Sequence, residues 1–137
     1  MTIFLYYIGK PRDAHANAMA ADYVARASRF ARCEMRELRR GGPRDRHPGA
    51  RLAALDPSGR AMDSAAFMGL IARARDEARD LVFLVGGAGG LPAAWRETAD
   101  VAVSLSALTM PHELARVVVA EQIYRALAAL KGHPYPR

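Results

Sequence analysis

A chain of 137 residues suits one domain, since domains commonly run to about 100–200 residues, and 51% hydrophobic with 25% charged residues excludes wholesale disorder. One cysteine, Cys33, excludes an intrachain disulfide and suits a reducing cytoplasm; no apolar run nears the roughly 20 residues that span a bilayer, and the apolar start, Met1 to Ile8, is too short for a signal peptide. The net charge of +6 lies wholly in residues 1–51, with 11 Lys and Arg against 5 Asp and Glu, while the remainder holds 9 of each, an imbalance that suits either a polyanionic partner or a solvated arginine-rich surface.

Ile3 to Ile8 is a continuous apolar run and predicts a buried strand. Gly9 and Pro11 break it, and a helix is expected to about Arg32, with Met19, Tyr23, Ala27 and Phe30 on its core stripe and Asp22, Arg26 and Arg29 outward. Cys33 to Leu38 reads as a weak second strand. Arg39 to Gly49 carries glycine, proline and charge without periodicity, so it reads as a loop, either a plain surface connection or a basic arm for RNA.

Arg51 to Leu55 predicts a short strand closed by a β-turn at Asp56-Pro57-Ser58-Gly59. Asp63 or Ser64 can cap the next helix, whose apolar stripe is Phe67, Leu70, Ile71 and Ala74. Leu81 to Val85 is apolar throughout, as in a parallel strand covered on both faces. The run Gly86-Gly87-Ala88-Gly89-Gly90 follows, then a short helix opened by Pro92 and a strand at Val101 to Val103. A loop, Ser104 to Met110, precedes the last helix, which starts at Pro111. Leu114, Val117, Val118, Tyr124, Leu127 and Ala128 form one stripe on it, and Val119, Ile123, Ala126 and Leu130 another. One sheet cannot cover both, which points to a homodimer.

Alternating strands and helices predict a single α/β domain over residues 1–137 with a mostly parallel sheet. Ligands bind such sheets beyond the carboxyl ends of the strands, where the glycine run and the loop Leu105 to Met110 are expected. The glycine run lacks the third glycine of G-x-G-x-x-G and the Gly-Lys-Ser/Thr of a P-loop, which disfavours dinucleotide and NTP binding. His15, His47, His112 and His133 are scattered and Cys33 has no companion at ligand spacing, so no metal site is expected. No G-x-S-x-G elbow supports Ser104 or Ser106 as a nucleophile, and local hydrogen bonding is the expected role of His112. Glu121 and Arg125 stand at i,i+4, either as a simple ion pair or as a partly buried pair at a dimer contact.

Four stretches together resemble the large-subunit rRNA methyltransferase H family, the smallest members of the SPOUT superfamily. They are Val85 to Leu91, Leu105 to His112, Ala120-Glu121-Gln122-Ile123-Tyr124-Arg125-Ala126 and His133-Pro134-Tyr135. The likeness is strong over residues 51–137 and loose over residues 1–38. It implies a carboxyl-terminal trefoil knot, a homodimer, a cytoplasmic location and S-adenosylmethionine as metal-free methyl donor. It implies cofactor contacts at Leu55, Gly86, Leu105, Ser106, Ala107, Leu108, Thr109 and Met110. The implied substrate is N3 of a pseudouridine in the helix-69 stem-loop of 23S rRNA, methylated in the assembled ribosome, with Arg137, Tyr135, His133 and Arg125 around the target base. This chain departs from the family in three places: Pro136 stands where members carry histidine, Gly89 where they carry a polar or acidic residue, and Arg39 to Ala50 replaces a helical segment. A relative with weakened chemistry that still folds and binds RNA or cofactor is the alternative.

Overall fold

A computed structural model describes residues 1–135. In chain order the elements are β1 (Thr2–Tyr7), α1 (Ala14–Ala27), β2 (Arg32–Glu37), α2 (Pro43–Arg46), β3 (Arg51–Ala61), α3 (Ser64–Asp76), β4 (Leu81–Val85), α4 (Ala93–Thr98), β5 (Val101–Ser104) and α5 (His112–Leu130). The five strands are all parallel and ordered β2-β1-β4-β3-β5. Every residue of β4 is buried, because β1 and β3 flank it and side chains pack on both its faces. This is the α/β architecture that the alternation predicts.

One face of the sheet carries α1, α3 and α5, with Ile3, Leu5, Ala53, Phe83 and Val103 packed beneath them. Phe67 of α3 stacks on Phe83 of β4 at 5.0 Å between ring centroids. The opposite face is a smaller cluster around Tyr6, Leu52, Ala54, Val82 and Leu84, flanked by Leu38, Leu91 and Trp95.

Several sequence expectations change in detail. The first helix stops at Ala27, because the Ser28 hydroxyl donates to the Val24 carbonyl at 2.9 Å and turns the chain. Its core stripe is Ala20, Val24 and Ala27, and Met19 is 55% exposed. Small residues at these positions let α1 lie close along α5. The loop expected at Arg39 to Gly49 contains the one-turn helix α2 and is tied down: the Arg44 guanidinium donates to the Ala50 and Thr98 carbonyls and to Asp100 at 2.8–3.1 Å.

The turn at Asp56 to Gly59 does not end its strand. It bulges out, and Arg60 and Ala61 pair again with Val103 and Ser104. A Cβ at Gly59 would lie 2.6 Å from the Ala102 carbonyl carbon, so only glycine allows the bulged strand to rejoin β5. Most of both α5 stripes is covered within one chain. Tyr124 packs on Tyr23 and Phe30, each at 6.2 Å, α3 lies along the other flank, and Ala120, Ile123, Ala126 and Ala128 are buried. Leu114 is 47% exposed. α1 and α3 therefore account for most of the double stripe, and Leu114 and Val118 stay partly open.

Candidate active site: a backbone-lined cleft and a distant tail cluster

At the carboxyl edge of the sheet, the bulge of β3 and the segments after β4 and β5 enclose a cleft of about 700 Å³, within the range of small-molecule sites. All eight residues expected at a cofactor line it: Leu55, Gly86 and Leu105 through Met110. The strand ends bring them together. Leu55 enters the bulge of β3, Gly86 leaves β4 and Leu105 leaves β5, all at the same edge of the parallel sheet.

The walls are largely main chain. A Cβ on Gly86 would stand 2.6 Å from the Gly90 carbonyl carbon, and the Gly90 N–H donates to the Gly87 carbonyl at 3.0 Å, so the glycine run folds tightly on itself. The opposite wall is self-braced. The Ser104 hydroxyl donates to the Ser106 carbonyl at 3.2 Å, and the Leu108 N–H donates to the Ser106 hydroxyl oxygen at 2.9 Å. Unpaired peptide groups in such loops suit a flat heterocycle and a zwitterionic amino-acid end, both of which can be recognised by backbone donors and acceptors.

Sequence reasoning missed part of the lining. Asp56, Arg96, Ser104 and His112 also face the cleft. Arg96 donates to Asp56 at 3.4 Å, and Ser58 donates to the Asp56 carboxylate from both N–H and hydroxyl, which holds its pKa below the usual value. The His112 side chain makes no hydrogen bond to any other described residue, so the expected local bonding is not seen. Its place at the end of the Leu105–His112 stretch, where the last helix starts, was the signal of a place in the cleft.

The residues expected around the target base split. Arg125 donates to Glu121 from Nε at 3.0 Å and from Nη2 at 2.8 Å. The Tyr135 hydroxyl donates to the same Glu121 oxygen at 2.9 Å, and the Arg125 guanidinium lies 4.7 Å from the Tyr135 ring centre. The Glu121–Arg125 pair is thus an i,i+4 ion pair that also anchors the tail. Burial, followed by the bonds with Tyr23 and Glu121, pushes the Tyr135 phenol pKa up, and the bond with Glu121 raises that of Arg125. His133 is exposed and edges on to Phe30 at 5.5 Å. Arg137 and Pro136 lie outside the described residues.

This cluster and the cleft occupy different ends of α5. Thirteen residues separate His112 from Arg125, about 20 Å along a helix axis. Within one chain, therefore, Arg125, His133 and Tyr135 stand away from the cleft. Among the described residues no group of three or more His, Cys, Asp or Glu side chains could hold a metal ion, and no helix is long and apolar enough to cross a membrane.

A family model described as SPOUT methyltransferase matches residues 1–136. The chain is 58% identical over 139 aligned positions, covering 100% of both proteins, to a ribosomal RNA large subunit methyltransferase H of Solibacter usitatus. Among solved structures, it is similar to a Bacillus anthracis protein assigned as an RNA methyltransferase, with a TM-score of 0.64, 12% identity and 100% of both chains covered. The SpoU methyltransferase AviRb of Streptomyces viridochromogenes, solved with AdoMet, gives a TM-score of 0.51 at 14% identity over 91% of this chain and 59% of that one.

Proposed function

The chain belongs to the SPOUT methyltransferases, in the ribosomal RNA large subunit methyltransferase H family, and we propose that it methylates N3 of a pseudouridine in the helix-69 stem-loop of 23S rRNA, acting as a homodimer on assembled ribosomes. The observation that carries this reading is the single cleft shared by Leu55, Gly86 and Leu105 to Met110. S-adenosylmethionine held there would supply a methyl group activated by its sulfonium sulfur. Backbone groups of the glycine run and of the 105–110 loop would hold the donor, and the trefoil knot implied by the family likeness would lock these two loops around it.

Transfer to N3 replaces an N–H bond by an N–CH3 bond, and the N3 proton passes to solvent water as the methyl arrives. The N3 electron pair forms the new bond, while the donor's sulfur keeps the electrons of the broken one. A positive group near the ring stabilises the anion left at N3. Arg125 fits that task, because a guanidinium is always charged at working pH and Glu121 fixes its orientation. Tyr135 fits as a positioning residue rather than a base: its one O–H donates to Glu121 beside Arg125, and a phenol with a raised pKa stays protonated at neutral pH.

A second copy of the chain supplies what one copy lacks. A tail about 20 Å along α5 from its own cleft can serve the cleft of a partner whose α5 packs in the opposite sense. Val118 and Gln122 of α5, with Met62, Phe67 and Leu105, line a further groove of about 290 Å³ beside the exposed Leu114, and this face suits the contact. The test is transfer of labelled methyl from S-adenosylmethionine to ribosomes that carry pseudouridine but lack the methyl group. Incorporation at the helix-69 pseudouridine is expected. Cofactor binding without incorporation would overturn the reading in favour of a relative with weakened chemistry, and a strong gain in Pro136→His would locate the cause.

A further inference from the structure

The cleft rim is uneven in charge. On its β3–α4 side Arg96 is paired with Asp56 at 3.4 Å. On its β1–α1 side the turn Gly9 to Arg12 exposes Lys10 and Arg12, and neither side chain forms an ion pair with a described residue. The basic segment that dominates the sequence is more engaged. Arg36 is bonded to Glu34, Arg39 to Glu37, Arg44 to Asp100, and Arg46 to the Arg40 carbonyl.

The Gly9–Arg12 turn is fastened to both walls of the cleft. At its start the Ile8 N–H donates to the Val85 carbonyl at 3.2 Å, and Gly87 lies so close that a Cβ there would be 3.0 Å from the Ile8 carbonyl oxygen. At its end the N–H groups of Arg12 and Asp13 both donate to Glu113 Oε2 at 3.1 Å. Glu113 stands in the first turn of α5, next to the cleft residue His112. The Asn17 amide donates to the same oxygen at 2.5 Å.

Behind this oxygen lies Arg116, 1% exposed. Its Nη1 bonds the Asn17 side-chain carbonyl and sits 3.7 Å from Glu113, and its guanidinium lies 3.6 Å over the Tyr7 ring. Nε and Nη2 of Arg116 are buried without a hydrogen-bond partner. A methionine of similar volume would avoid that desolvation penalty, so packing alone does not account for an arginine here. Its evident effect is to hold Glu113 and Asn17, which in turn hold the backbone of the turn. Asp13 is likewise engaged, capping α1 through the Ala16 N–H at 3.0 Å.

Resting on the function proposed above, we infer that Gly9 to Arg12 is a phosphate-gripping finger, whose Lys10 and Arg12 hold the RNA backbone beside the nucleotide that enters the cleft. The chemistry suits both side chains. Arginine binds phosphate through a two-pronged guanidinium and lysine as a compact charge. Such contacts set position without reading sequence, and each one makes binding more sensitive to salt.

The experiment compares two double variants that remove equal charge. Lys10→Ala/Arg12→Ala alters the finger, and Arg73→Ala/Arg75→Ala alters the end of α3 at the far edge of the sheet. Binding to unmethylated ribosomes is measured across salt concentrations, alongside methyl transfer. The finger variant is expected to bind at least about tenfold more weakly and to flatten the salt dependence by about 1.5 in log–log slope, with S-adenosylmethionine affinity unchanged. Lys10→Arg/Arg12→Lys should restore the slope. Equal losses in the two double variants, or none in the finger variant, would overturn the proposal, as would a wild-type protein that does not bind ribosomes. If the wild type binds but transfers no methyl, the assigned reaction falls and the salt slopes still decide the finger.

Discussion

The cleft and the tail cluster are built on opposite principles. The cleft is main chain: glycines and small residues at three strand ends, with Gly86 packed so closely on Gly90 that a methyl group would collide. The tail cluster is side chain: one carboxylate, Glu121, receives both Arg125 and Tyr135 within 3.0 Å. A main-chain site is specified by what must be absent, and its residues can be small and chemically bland. A side-chain site is specified by particular charges, and its action depends on where the helix beneath it points. On this chain that helix carries Arg125 and Tyr135 away from the cleft, so the proposed site needs the two halves to come from two chains.

The largest expected effect falls on the side-chain half. Arg125→Ala should lower turnover by about 100-fold, the usual scale for losing one charge-stabilising donor, with the dissociation constant of S-adenosylmethionine unchanged by calorimetry. A loss confined to cofactor affinity would instead place Arg125 at the cleft. Gly86→Ala should do the reverse. Forcing a Cβ to 2.6 Å from the Gly90 carbonyl carbon should weaken cofactor binding by about 10- to 100-fold, the range of overpacking costs, while the tail stays intact. Cofactor affinity equal to wild type would show that the glycine run does not touch the donor.

Mixing the two variants sharpens the comparison. A dimer of one Gly86→Ala and one Arg125→Ala subunit retains one intact cleft facing one intact tail if the site is shared. Random re-pairing makes half the dimers mixed, so about a quarter of wild-type activity should return. No recovery would mean that each chain uses its own tail, and would require the tail to leave Glu121 to reach its cleft.

The cleft was legible in the sequence because its signals are local. Glycine after a wholly apolar run marks a parallel strand ending at a ligand-binding edge, and the motif order carried the same residues. The α3 stripe of Phe67, Leu70, Ile71 and Ala74 was legible for the same reason, as one face of one helix. Contacts between distant segments were not. Ala20 rather than Met19 faces the core of α1, because α5 approaches closely there. The double stripe on α5 suggested a dimer, and α1 and α3 cover most of it while Leu114 and Val118 stay partly open. The separation of Arg125 from the cleft follows from helix length and direction, which residue spacing in a motif does not express. Arg44 reads as part of a basic loop, and only the fold reveals Asp100 and two carbonyls waiting for it.

The smallest expected effect lies where α5 begins, at the joint between the cleft and the β1–α1 turn. The backbone N–H groups of Asp13 and Arg12, with lesser help from Asn17 and the Arg116 charge, lower the Glu113 pKa to about 2 from an ordinary 4.5. A carboxylate whose folded pKa is depressed adds stability that is full above its unfolded pKa and is lost as pH falls through the folded value. The stability difference between wild type and Glu113→Gln should therefore be constant above about pH 5 and shrink between about pH 4.5 and 2. Because Glu113 lies at the protein surface, partly open to solvent, the difference should be modest and should diminish with salt. Urea unfolding at a series of pH values measures it. A difference that persists unchanged to pH 2 would mean that the amide of the Glu113→Gln variant replaces the carboxylate's bonds poorly for reasons of shape. The joint would then be held by fit rather than charge, and the β1–α1 turn would keep its place against the cleft in acid.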